Sequence, residues 1–77
     1  MGVKVLTFGQ LTEITGNNSF TIDDAIDTDE LVRQLHTRFP ALANMNYIIA
    51  VDKDVVTENT PLREETTVAL MPPYAGG

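Results

Sequence analysis

The 77-residue chain contains no cysteine, and this absence excludes several kinds of protein. Without a thiol there is no disulfide framework, no thiolate nucleophile and no cysteine-ligated metal site. Small chains without disulfides are typical of the cytosol, so we expect a cytoplasmic location. No stretch approaches the roughly 20 apolar residues of a membrane helix, and the first residues match neither a signal peptide nor a myristoylation site. No membrane association is therefore expected.

Basic residues are also few, because 5 lysines and arginines stand against 11 acidic residues, for a formal net charge of −6. Nucleic acids and anionic membranes need basic surfaces, so neither is expected as a partner. A protein partner with a basic surface fits this charge, and so does a role in solubility alone. The charge therefore narrows the class of partner without choosing one.

Little in the chain favours a self-contained enzyme. A domain of this length buries only about 60% of the surface of its unfolded chain, which leaves little room for a catalytic pocket. The only histidine, His36, lies beside an apolar helical stripe and has no partner at ligand spacing. The acidic residues lack calcium-loop spacing. We therefore expect this chain to bind no metal and no cofactor.

The hydrophobic pattern predicts the element order β-β-α-β-β-β, with strands at residues 4–8, 19–22, 47–51, 55–56 and 67–71. One amphipathic helix is predicted between them. Asp27 and Glu30 have the spacing of a capping box, with Thr28 as the alternative N-cap, and Pro40 ends the helix. Apolar residues then recur at helical spacing: Leu31, Val32, Leu35 and Phe39.

This order indicates an α+β fold of the β-grasp type, a mixed sheet with one helix packed on one face. The first and last strands would pair as parallel neighbours in the centre. We expect residues 1–71 to form the domain and residues 72–77 an extended C-terminal tail.

A sheet with one helix leaves its other face open, and strand alternation predicts what lies there. Lys4 belongs in water, which places Leu6 and Phe8 on the open face with it. Met71 in the last strand falls on the same side by analogy. An exposed face that carries Phe and Met is typical of a partner surface, and we prefer this interpretation to packing of Phe8 against a loop.

The tail is the least globular part of the sequence. Pro72-Pro73 favours extended polyproline geometry, in which six residues reach about 18 Å at roughly 3.1 Å per residue. Gly76-Gly77 removes every side chain from the tip, so the tip can thread a narrow channel. A stiff base, a thin tip and a free carboxylate suit the delivery of an acyl group to a partner enzyme.

Two segments carry a resemblance to a known family. Residues 4–16, KVLTFGQLTEITG, and residues 68–77, VALMPPYAGG, resemble the opening and closing segments of the molybdopterin synthase small subunit. Ala50-Val51-Asp52 and Thr60-Pro61-Leu62 match in position between them. The resemblance spans essentially the whole chain, and the Pro-Pro-x-x-Gly-Gly ending is its most specific part.

The resemblance implies a ubiquitin-like β-grasp fold and a sulfur carrier in molybdenum cofactor biosynthesis. The carboxylate of Gly77 would be adenylated by an E1-like activating enzyme that holds ATP and Mg, and a sulfur donor protein would convert it to a thiocarboxylate. The tail would then enter the large subunit of a heterotetrameric synthase and give its sulfur to a pterin precursor. This chain would be the non-catalytic subunit. The partner-binding residues implied are Phe8, Val55, Met71, Pro72, Pro73, Tyr74, Ala75 and Gly76.

Three alternatives stay open at this point. The first is a sulfur carrier of thiamine biosynthesis or another pathway, although such carriers generally lack the Pro-Pro pair. The second is a ubiquitin-like modifier joined to lysines through Gly77. The third is a β-grasp interaction module with an incidental tail.

Overall fold

The computed structural model describes residues 2–73, which contain five strands, two α-helices and one 3-10 helix. The strands are β1 (Val3–Thr7), β2 (Ser19–Ile22), β3 (Ile48–Val51), β4 (Asp54–Val56) and β5 (Thr67–Met71). The helices are α1 (Gln10–Thr15) and α2 (Thr28–Arg38), and the 3-10 helix (Pro40–Asn44) follows α2 directly.

The strands form one mixed sheet in the order β2-β1-β5-β3-β4. β1 and β5 run parallel, and the other neighbouring pairs are antiparallel. The predicted parallel pairing of the first and last strands is confirmed, and so is the ubiquitin-like fold class. The carboxyl ends of β1 and β5 consequently meet at the same edge of the sheet, because the two strands run in the same direction.

The core lies between the sheet and α2. Val5 of β1 and Val68 and Leu70 of β5 are fully buried, and so are Leu31 and Leu35 of α2. Burying one such side chain contributes about 1.5–3 kcal/mol relative to leaving it exposed. The helical stripe and the strand alternation therefore meet on one face of the sheet, which we call the covered face.

Both ends of α2 follow the predicted signals. The side chain of Asp27 accepts the backbone N–H of Glu30 at 2.9 Å, so Asp27, not Thr28, is the N-cap. The Asn59 side chain accepts the N–H of Asp29 at 2.9 Å and adds a second cap from a distant loop. The backbone N–H of Phe39 bonds to Leu35 at 2.7 Å, and Pro40 then begins the 3-10 helix.

Helix α1 was not among the predicted elements. The predicted order placed two strands in succession at the start of the chain, and β1 and β2 do pair antiparallel, but α1 lies between them. A six-residue helix is too short to show a helical period, and only Leu11 and Ile14 mark its apolar side. Its place is fixed by tertiary contacts, since Leu11 is buried and the Thr7 hydroxyl lies 3.1 Å from that of Thr12.

Candidate functional site

The face of the sheet opposite α2, which we call the open face, carries a shallow apolar depression of about 440 Å³. Residues from β1, β3, β4, β5 and the β3–β4 turn line it: Leu6, Phe8, Ala50, Asp52, Lys53, Val55, Thr67, Ala69 and Met71. Alternation along β1 and β5 produces it, because every second residue points away from the core. The predicted placement of Phe8 and Met71 on one side is confirmed by this arrangement.

The large side chains of the open face are unusually accessible for apolar residues. Phe8 is 47% exposed and Val55 is 61% exposed. The structure thus brings Phe8, Val55 and Met71 onto one surface, and all three are among the partner-binding residues that the family resemblance implies. Their role in binding a partner stays a prediction. An exposed apolar patch of this kind is what a protein–protein contact would cover.

Sequence reasoning missed Ala50, one of the two small residues that form the floor of the open face. Ala50 pairs with Ala69 on one side and with Val55 on the other, so the three share a face. Residues 47–51 read as a continuous apolar run, and such a run does not reveal which side each residue takes. Only the strand register places Ala50 here, and small floor residues are what make the surface concave.

Charged residues sit at one rim of this surface, in the β3–β4 turn. Asp52 and Lys53 both have positive φ, of 47° and 76°, as a tight hairpin requires. The Asp52 carboxylate accepts the backbone N–H of Thr67 at 3.0 Å, which ties the turn to β5. Lys53 and Val55 both line the open face. Lys4 is exposed on the same side of β1, so both lysines of the chain lie on this side of an acidic protein.

The tail begins at the edge where β1 and β5 end together. Pro72 and Pro73 follow β5 and line a groove of about 580 Å³ with residues of the β1–α1 corner and of the segment after the 3-10 helix. The other lining residues are Gly9, Gln10, Leu11, Asn44, Met45 and Asn46. We call this the tail-root groove. The predicted site residues Tyr74, Ala75, Gly76 and Gly77 lie outside the described residues, and so does the tail beyond Pro73.

His36 and Tyr47 form a polar contact away from both surfaces. The His36 Nε2 lies 2.8 Å from the Tyr47 hydroxyl, and the two rings meet edge to face. Burial raises the pKa of Tyr47 above its ordinary value. The contact links the last turn of α2 to the segment that enters β3, which is a structural role.

Residues 2–73 contain neither a metal-binding cluster nor a membrane-spanning helix. No group of three or more His, Asp or Glu side chains stands close enough together to hold a metal ion. Within the same range, no helix has the length and apolar character needed to cross a membrane. The described surface therefore offers an apolar face, a charged rim and the first residues of the tail.

Comparisons with known proteins identify what this arrangement resembles. The molybdopterin synthase sulfur carrier subunit of Caenorhabditis briggsae is 31% identical over 83 residues, covering 100% of this chain and 99% of that protein. A subunit in a solved complex of subunits 1 and 2 of molybdopterin-converting factor from Helicobacter pylori is 29% identical, with a TM-score of 0.74 and full coverage of both chains.

A structure of molybdopterin converting factor subunit 1 from Pyrococcus furiosus shares the fold, with a TM-score of 0.85 at 19% identity over 92% of this chain and 95% of that one. The model of the ThiS family matches residues 5–77, from within β1 to the end of the tail. With nearly the whole length matched in sequence and in fold, the chain belongs to the ThiS family.

Proposed function

We propose that this chain is a sulfur carrier that serves as the small subunit of molybdopterin synthase. The carboxylate of Gly77 would carry the sulfur as a thiocarboxylate and give it to a pterin precursor during molybdenum cofactor biosynthesis. The family membership and the name of the 31% identical relative support this proposal. The Helicobacter pylori subunit, solved as a complex with subunit 2, supports a large-subunit partner.

One observation carries the proposal from the geometry. Strand β5 contributes Met71 to the open face, and the next residue, Pro72, lies in the tail-root groove. The surface that would dock and the arm that would deliver thus follow each other directly along the chain. Since β5 is held between β1 and β3, a partner seated on the open face would meet the tail in a defined position.

The chemistry requires two steps, adenylation of the carboxylate and transfer of sulfur to it. Other proteins would supply the reagents for both. A carboxylate is unreactive until one of its oxygens becomes a leaving group. A carboxylate oxygen of Gly77 would attack the α-phosphorus of ATP, forming an acyl adenylate and releasing pyrophosphate. The terminal sulfur of a persulfide on the donor protein would then attack the acyl carbon and expel AMP, which replaces a C–O bond by C–S. A thiol of a partner protein would cleave the S–S bond that still joins the chain to the donor, which leaves a disulfide on the partner side and the thiocarboxylate on Gly77.

The division of labour follows from what the described surface offers. The open face carries apolar side chains and the charged pair Asp52 and Lys53, which suit docking. ATP, Mg and the nucleophile would belong to the activating enzyme and the sulfur donor. The large subunit would hold the pterin precursor, so this chain would be the non-catalytic partner. A cytoplasmic location stays a prediction.

Mass spectrometry of the C-terminal peptide tests the carrier role. The full chain is incubated with an E1-like activating enzyme, ATP, Mg and a sulfur donor protein. We expect the mass increase of one oxygen-to-sulfur exchange, confined to the peptide that ends at Gly77. A chain that lacks Gly77 should keep its circular dichroism spectrum and show no exchange. An unmodified peptide from the full chain under conditions that load a known carrier would sink the proposal.

The pathway is tested by the partner that accepts the sulfur. The loaded chain is mixed either with the large subunit of molybdopterin synthase and the pterin precursor or with the thiazole-forming enzymes of thiamine biosynthesis. We expect sulfur transfer only in the first mixture. Transfer in the second alone would assign the chain to thiamine biosynthesis, and isopeptide adducts on lysines in cells would reveal a modifier.

A further inference from the structure

Gly9 stands between β1 and α1 at a point where a side chain would fit only if Pro72 shifted by a few tenths of an ångström. Its φ of 59° and ψ of −134° are open to glycine and strained for other residues. A Cβ built at this position would lie 3.0 Å from Cγ of Pro72, the first residue of the tail. Both residues line the tail-root groove. The β1–α1 corner and Pro72 are therefore in close contact because Gly9 has no side chain.

We propose that Gly9 is a positioning residue for the tail. Because Gly9 has no side chain, Pro72 packs directly on the β1–α1 corner, and this contact sets the direction in which the chain leaves β5. The inference rests on the proposed function, since that direction matters only if the tail has to reach a partner's site. It assigns a role in delivery to a residue outside the open face.

The parallel pairing of β1 and β5 brings the two residues together. Thr7 pairs with Leu70 in the register, so the residues that follow each strand continue side by side beyond the sheet edge. Gly9 and Pro72 each come two residues after that pair. A larger side chain at position 9 would therefore press on Pro72, the first residue of the tail.

The corner is the more rigid of the two contact partners. The backbone carbonyl of Gly9 accepts the N–H of Thr12 at 3.1 Å, and that of Phe8 accepts the N–H of Leu11 at 3.2 Å. Leu11 is fully buried and anchors α1 in the core. Pro72 is only half-buried and has a fixed φ, so a push on its ring becomes a change of chain direction. A larger residue at position 9 would therefore displace the tail at Pro72 and leave the β1–α1 corner in place.

The test compares Gly9→Leu with Gly16→Leu in the loading assay. Gly16 ends the same helix, also has a positive φ of 79°, and has no atom within 4 Å of its would-be Cβ. We expect Gly9→Leu to lower kcat for thiocarboxylate formation about tenfold or more, because small displacements of a reacting group are costly. KM should stay near the wild-type value, since docking on the open face is kept. Gly16→Leu should resemble wild type in both constants.

Backbone strain at Gly9 could lower activity without involving the tail, and a double-mutant cycle separates the two causes. Pro72→Ala removes the Cγ atom that a side chain at position 9 would meet. If the contact acts on the tail, Gly9→Leu should cost much less kcat in the Pro72→Ala background than alone. Equal losses in both backgrounds would overturn the positioning role.

Two further outcomes complete the test. Should Gly9→Leu fail to fold, Gly9→Ala introduces the 3.0 Å contact alone and should lower kcat in the same direction by a smaller factor. A loaded wild type with Gly9→Leu equal to Gly16→Leu would overturn the inference and leave the proposed function standing. A wild type that is never loaded would remove the proposed function, and the inference with it.

Discussion

The two faces of the sheet are made by the same strands but differ in burial and in the residues that they carry. On the covered face, Val5, Val68 and Leu70 are fully buried under α2. On the open face, small floor residues lie between the accessible side chains of Phe8 and Val55. Neighbouring residues of one strand thus serve stability and contact in alternation. The comparison predicts that single substitutions will separate the two properties.

The largest effect on stability is expected from the covered face. Leu31→Ala removes a fully buried side chain from α2 and should lower the free energy of unfolding by about 2–5 kcal/mol, because the cavity it leaves closes only in part. Val55→Ala on the open face should change it by less than about 0.5 kcal/mol. Urea denaturation of both variants measures the difference. Similar losses from the two would show that the open face also stabilises the fold.

The largest effect on partner binding is expected from the open face. Phe8→Asp should weaken binding to the large subunit by about 2 kcal/mol or more, because it places a charge where an apolar contact would form. Ile26→Asp is the matched control, since Ile26 is an apolar side chain 73% exposed in the loop before α2. Isothermal titration calorimetry measures both affinities. Equal weakening by the two variants would contradict a docking role for the open face.

A smaller effect concerns how the covering helix is attached. Asp27→Ala removes the side chain that accepts the N–H of Glu30 and should lower the free energy of unfolding by about 1 kcal/mol. Asp29→Ala removes a charge from the same helical turn without removing that cap, so its effect should be smaller. Thermal unfolding compares them. If Asp29→Ala is the more destabilising variant, the capping bond is not what holds this end of α2.

The smallest effect at neutral pH lies at the other end of α2. Tyr47→Phe removes the hydrogen bond with His36 and should cost about 0.5–1 kcal/mol. Above pH 10 the difference in stability between wild type and Tyr47→Phe should change. Burial raises the pKa of folded Tyr47 above its ordinary value of 10.0, so the neutral phenol stabilises the folded state up to that pH. This contribution is lost as the pH rises through the folded pKa.

Unfolding measured in urea from neutral to alkaline pH checks the sign. Wild type should lose stability relative to Tyr47→Phe as the pH rises above 10, because the phenol then ionises more readily in the unfolded chain than in the folded one. A difference between the two proteins that does not change with pH would show that Tyr47 ionises as easily in the folded chain as in the unfolded one.

Local sequence signals were sufficient for the elements with a clear period or a cap. α2 begins at the Asp27 cap and ends beside Pro40 as predicted, because both signals act within a few residues. The faces taken by Lys4 and Phe8 followed from alternation along one strand. These predictions need no knowledge of distant parts of the chain.

Long-range contacts decided what the sequence left undetermined. α1 is too short to show a helical period in the sequence, and its position depends on the burial of Leu11 in the core. Ala50 lies in an apolar run without alternation, so only its pairing with Ala69 puts it on the open face. Gly9 has no local peculiarity in the sequence, and its contact with Pro72 appears only once β1 and β5 lie parallel.

The sequence by itself determined the mixed sheet with its covering helix, the apolar character of the open face and the Pro-Pro and Gly-Gly residues of the tail. Those features depend on periodicity, capping and backbone chemistry, which neighbouring residues specify among themselves. The tertiary structure decided that Val55 and Ala50 join Phe8 and Met71 on one surface and that Pro72 lies against Gly9. Both facts are set by strand order and register, which join residues far apart in the chain.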